Sequence, residues 1–94
     1  ILVGVGLNWR KLGRWEKTIE FFSQALDVAK YLENRKEEAE IRLDLVESYF
    51  KLDKRDLAMG HLIKAEESLQ VNREAWPPSL IRRIELLRSY GSVK

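Results

Sequence analysis

The chain repeats itself with a period of about 40 residues, which lies in the range of helical repeat architectures. The segment WRKLG at positions 9–13 returns, loosened, as YFKLD at positions 49–53. Apolar and small residues further along keep the same spacing, and the matched pairs are Ile19 with Met59, Phe22 with Leu62, and Ala25 with Ala65. A fixed period of this length predicts helical units that bury their apolar faces against each other.

Five helices are predicted from the spacing of apolar residues and from the helix-ending signals. They cover approximately residues 1–12, 15–32, 34–52, 57–69 and 78–91. Gly13 and Gly91 suit helix ends, and Asn34 followed by Glu37 resembles a capping box. The segment 71–77 reads as a loop, and Pro78 suits the first position of the fifth helix. No alternating run is long enough for a strand, so the predicted fold class is all-α.

Length and composition indicate one helical domain over residues 1–94, with 45% hydrophobic and 34% charged residues. The absence of cysteine excludes disulfides and thiolate metal sites and favours a reducing compartment such as the cytoplasm. The longest apolar stretch, residues 1–7, is far shorter than the ~20 residues that span a bilayer, so no membrane span is expected. Because the sequence starts with Ile1 inside a helical pattern, we expect a fragment of a longer protein.

Helix pairs with small residues at fixed positions resemble the tetratricopeptide repeat family. The first repeat, about 1–33, supplies Gly6, Trp9, Leu12, Gly13, Trp15, Phe22 and Ala25, and the second, about 34–70, supplies Leu45, Tyr49, Leu52, Ala58, Leu62 and Ala65. The departures are Thr18, Val46, Asp53 and Arg55, together with a period longer than the family's usual value of about 34. The resemblance implies a right-handed superhelix (an α-α solenoid) of antiparallel helix pairs, with a fifth helix that caps it or begins a third repeat.

In this family the first helix of each repeat lines a concave groove, and the resemblance implies a partner-binding surface there. The corresponding residues are Leu7, Arg10, Leu43, Glu47 and Phe50, with Arg88 beside them on the fifth helix. Leu7, Leu43 and Phe50 are apolar where a solvated face would be polar, and an exposed apolar patch rimmed by charge often marks a contact. The expected function is a non-enzymatic module, part of an adaptor or scaffold, that binds a peptide or a helix of a protein partner in the concave groove.

Two other interpretations stay open at this stage. The fifth helix or further repeats could cover the apolar patch, which would make the chain a structural segment of a longer solenoid or a self-associating module. A third hypothesis is a basic helical module that contacts nucleic acid, because Arg82, Arg83 and Arg88 cluster on the fifth helix. Acidic residues interleave with the basic ones elsewhere, and the net charge is only +2, so nucleic acid is not the expected partner.

Motifs for catalysis or cofactor binding are weak in this sequence. The only histidine, His61, occupies the repeat position of Phe21 and is expected to be partly buried or exposed rather than catalytic. Gly4 and Gly6 lack the third glycine and the preceding strand of a dinucleotide-binding loop. No cofactor is therefore expected.

Overall fold

Five α-helices account for almost all of the residues that the computed structural model describes, which are residues 2–71 and 76–92. They are α1 (Leu2–Lys11), α2 (Trp15–Tyr31), α3 (Arg35–Lys51), α4 (Arg55–Val71) and α5 (Pro78–Ser92). The described residues contain no strand, which confirms the all-α prediction. None of the described helices is long and apolar enough to cross a membrane.

Three turns of the same kind join the first four helices. The middle residues of these turns, Gly13, Glu33 and Asp53, have φ angles of 71°, 56° and 59°. In each turn the N–H after this residue donates to a carbonyl earlier in the preceding helix, as in Arg14 to Trp9 at 3.0 Å. This is the Schellman ending of a helix, and it reverses the chain within one turn. Because α2 and α3 each have 17 residues and the turns after them are equally long, helices α2, α3 and α4 begin at a constant spacing, at positions 15, 35 and 55.

Asn34 caps the start of α3, as the sequence predicted. Its Oδ1 accepts a hydrogen bond from the backbone N–H of Glu37 at 3.3 Å. The Glu37 carboxylate, however, accepts from the Asn34 side-chain amide at 3.0 Å and not from the Asn34 backbone. That backbone N–H already donates to the Ala29 carbonyl in the preceding turn, so only half of a capping box forms.

Two apolar clusters form the interior. The first joins α2 to α3 and contains Phe22, Ala25, Leu26, Ala29, Ile41 and Leu45. The second joins α3, α4 and α5 and contains Ala39, Leu43, Val46, Ala58, Leu62, Ala65, Trp76, Leu80, Ile84 and Leu87. The alanines that the repeat placed in the interior, Ala25 and Ala65, are buried in these clusters. Because α3 contributes to both, it is covered on more than one side.

Small residues let helices approach closely at two points. A Cβ built on Gly6 of α1 would lie 3.3 Å from the ring of Phe22 in α2. A Cβ on Gly91 of α5 would lie 3.1 Å from Cζ of Phe50 and 2.8 Å from Sδ of Met59. The prediction that Gly91 ends the fifth helix is wrong, since α5 continues to Ser92 and packs its glycine against α3 and α4.

Candidate functional site

Leu43 does not line a groove. Its side chain is 0% exposed, inside the cluster formed by α3, α4 and α5. The expectation of an exposed Leu43 is wrong because α4 and α5 both pack against α3, so the face carrying this residue is part of the core.

Phe50 is only partly accessible. Its ring packs edge-on against the ring of Tyr90 in α5, with 4.9 Å between centroids and 72° between planes. It also contacts the core cluster of α3, α4 and α5. The fifth helix therefore covers much of this aromatic, which was one of the alternatives open from the sequence.

Arg88 of α5 binds α4. Its Nε donates to Oε1 of Glu66 at 3.0 Å. Its place beside Phe50 at a partner-binding surface stays a prediction. Leu7 of α1 is exposed, as expected.

The remaining two predicted residues, Arg10 and Glu47, belong to a ladder of ion pairs across three helices. Arg10 of α1 donates to Glu47 of α3 at 2.5 Å and lies 3.5 Å from the Asp44 carboxylate. From the other side, Arg83 of α5 donates to Glu47 at 3.0 Å and also to Asp44. Two acids of α3 are thus held between two arginines, which places α1, α3 and α5 side by side.

Burial and pairing shift the pKa values of this ladder in opposing ways. Burial raises the pKa of Asp44 above its ordinary value, although Arg83 and Arg10 partly counteract it. Burial alone would lower the pKa of Arg83, but its hydrogen bond and attraction to Asp44 and Glu47 outweigh this and raise it. Arg83 therefore stays charged at neutral pH. The acids already have cationic partners, so this central part of the surface is largely self-satisfied.

A cleft opens beside the ladder, between the last turns of α3 and the second half of α5. It has a volume of about 230 Å³ and is lined by Glu47, Phe50, Lys51, Leu86, Leu87 and Tyr90. Leu86 is 63% exposed and Tyr90 is 58% exposed, although both side chains are large and apolar in character. They stand one helical turn apart on α5, so they form one continuous apolar wall. This cleft is the strongest candidate binding surface among the described residues.

His61 takes part in a separate, partly buried network at the α3–α4 contact. Its ring stacks on Tyr49, with centroids 5.7 Å apart and 9° between planes. Nη1 of the buried Arg42 lies 3.1 Å from Nδ1 of His61. Because an arginine can only donate, Nδ1 accepts and the proton of the neutral ring is on Nε2. Burial first, and then the charge of Arg42, lower the pKa of His61 to about 4. His61 is thus half-buried, within the expected range from partly buried to exposed, and its expected lack of a catalytic role stays a prediction.

No arrangement for metal binding was found in the part of the chain that the structure describes: no three His, Cys, Asp or Glu side chains come together there. Comparison of the chain with protein families, curated proteins and solved structures gave no match in any of the three. The function of this chain is therefore inferred from its own surface.

Sequence reasoning missed three residues of this region, Asp44, Leu86 and Tyr90, and identified Arg83 only as part of a basic cluster. The signal for Leu86 and Tyr90 was present, because two large apolar residues four apart lie outside the stripe formed by Leu80, Ile84 and Leu87. The pairing of Arg83 with α3 had no such signal, since it depends on the position of α5 against α3.

Proposed function

We propose that this chain is a non-enzymatic protein-interaction module that binds a short helix or peptide in the cleft between α3 and α5. The observation that carries the proposal is the exposed pair Leu86 and Tyr90 beside the partly buried Phe50. Isolated apolar residues on a surface are ordinary, but a concave cluster with an aromatic floor is typical of contact sites.

The nature of the partner follows from the lining of the cleft. Leu86, Tyr90 and Phe50 offer apolar surface to an aliphatic or aromatic side chain, and such anchors contribute most of the energy of many interfaces. At the rim, Glu47 is held by two arginines, whereas Lys51 is exposed and has no ion-pair partner among the described residues. We therefore infer a partner segment with apolar residues three or four apart and an acidic residue placed to meet Lys51.

The proposed architecture is the one that the resemblance to tetratricopeptide repeats implies: helix pairs stacked into a right-handed superhelix. Three turns of one conformation and evenly spaced helix starts, at positions 15, 35 and 55, support a regular stack. In such a stack α1, α3 and α5 share one layer, and the ion pairs from Arg10 to Arg83 through the acids of α3 are consistent with this.

Nucleic-acid binding is less well supported than peptide binding. Arg83 and Arg10 are engaged by Asp44 and Glu47. Arg88 is engaged by Glu66. Cations that already neutralise carboxylates release fewer counterions from a phosphate backbone, which removes much of the driving force for such binding.

A peptide selection tests the proposal. A displayed library of short peptides is selected against the immobilised chain, and binders are then compared on two variants by fluorescence anisotropy. Leu86→Glu places a charge in the cleft and should weaken binding at least tenfold. Leu57→Glu is the matched control, because Leu57 is 51% exposed on α4 and does not line the cleft.

The melting temperatures of both variants should stay near that of the parent chain, since both positions are exposed. Equal loss of binding in the two variants, or no loss in Leu86→Glu, contradicts the proposal.

A further inference from the structure

Both ends of the helix stack carry exposed apolar residues. On α5 these are Leu86 and Tyr90, which line the α3–α5 cleft next to polar residues such as Arg82, Glu85 and Ser89. At the end formed by α1 and α2, the exposed residues include Leu12 and Val28, and Trp9 and Phe21 are only half-buried. This second apolar area shares no residue with the cleft.

The second repeat, α3–α4, shows which helix covers the face that corresponds to the apolar face of α1 and α2. Trp9 and Phe21 occupy the repeat positions that Tyr49 and His61 hold in the next unit. Tyr49 and His61 stack on each other in the helix pair α3–α4, on the side that faces α2. Tyr49 packs against the α2–α3 cluster, and Lys30 of α2 is near enough for its charge to lower the pKa of His61.

The helix that covers this face in α3–α4 is α2. It presents Leu26 and Ala29, which are buried against Ile41 and Leu45 of α3. A leucine with an alanine one turn away lets a helix approach closely while still burying apolar area.

We propose that the face formed by Trp9, Leu12, Phe21 and Val28 binds an antiparallel helix pair whose second helix presents the kind of stripe that α2 presents to α3. The occupant is a further unit of the same design. This surface shares no residue with the α3–α5 cleft, so the inference does not depend on the proposed function.

The probe is an additional copy of residues 1–40 placed before Ile1 of the full chain. In this tandem chain the added residues 35–40 are followed directly by Ile1. In the original chain the same residues are followed by Ile41 of α3, so the added segment joins α1 as residues 35–40 join the rest of α3. The tandem chain should melt at least ~5 °C above the original, because the added helix pair buries the apolar end face.

Two variants in the original copy show whether the proposed face is used. Val28→Glu should remove most of the gain in melting temperature of the tandem chain while leaving the original chain unchanged. Ile63→Glu is the matched control: Ile63 is a β-branched residue, 52% exposed against 49% for Val28, on α4. It should leave the gain intact.

Three results would overturn the inference. The first is a tandem chain that melts no higher than the original or loses helix content per residue, since the added pair is then not docked. The second is an equal effect of the two variants. The third is a dimer of the original chain in sedimentation that Val28→Glu dissociates, because a second copy would then be the occupant.

Discussion

The three turns that share one backbone conformation yield a prediction about stability. All three have a residue in the left-handed region, but only Gly13 is a glycine, whereas Glu33 and Asp53 adopt φ angles of 56° and 59°. Replacing Glu33 by glycine should therefore raise the free energy of unfolding, and so should Asp53→Gly. Gly13→Ala should lower it, because φ is 71° there.

The magnitude follows from two opposing contributions. A non-glycine residue in the left-handed region costs about 1–2 kcal/mol, and aspartate costs less than most. Glycine also gives the unfolded chain more conformational freedom, which lowers the free energy of unfolding by about 0.4–1 kcal/mol. The net gain is then about 0.5–1 kcal/mol for Glu33→Gly, with a smaller gain for Asp53→Gly. The two turns lie at opposite ends of α3, roughly 25 Å apart at about 1.5 Å per residue, so the gains should add.

Urea unfolding followed by circular dichroism measures these differences. Glu40→Gly is a suitable control, because Glu40 is exposed inside α3, where glycine should cost about 1 kcal/mol. The substitution of glutamate by glycine would thus raise the free energy of unfolding in the turn and lower it in the helix. A loss of stability in Glu33→Gly comparable with that in Glu40→Gly would refute the left-handed turn.

Three further predictions concern titration and packing. Since the pKa of His61 is about 4 in the folded protein and about 6.5 when unfolded, the folded state binds fewer protons between these values. The free energy of unfolding of the protein should therefore fall by about 1–2 kcal/mol between pH 6.5 and pH 4, allowing for solvent screening. Urea melts over this pH range measure the fall, and the His61→Gln variant should show a smaller one. Ala65→Leu should cost about 1–3 kcal/mol by overpacking the core, and unchanged thermal melts would contradict the interior position. Leu43→Ala should cost about 2–5 kcal/mol, whereas Leu7→Ala should be nearly neutral in the same melts.

Local signals predicted much of the fold from the sequence. Gly13 and Asn34 marked helix ends correctly, because their preferences depend on the backbone within a few residues. The internal repeat placed Phe22, Ala25 and Ala65 in the interior, because equivalent positions in a repeat have equivalent neighbours.

The candidate site was harder to predict, since it depends on where the fifth helix lies. The sequence predicts an exposed Leu43 because the repeat pattern identifies only one buried face of a helix, whereas α3 is packed by α2, α4 and α5. Arg83 and Asp44 are far apart in sequence, and no pattern shared by the two segments predicts that they pair. Their contact depends on where α5 lies against α3, which the local pattern of either segment does not encode.

The central claim, that the cleft between α3 and α5 binds a partner segment, is tested most directly by mapping a selected peptide on the isotopically labelled chain. Amide chemical shifts are recorded during titration with the peptide and compared along the sequence. Binding in the cleft predicts that the largest changes fall in residues 47–51 of α3 and 86–90 of α5, with little change in α2. Changes centred on α2, or spread evenly over the helices, would contradict the claim.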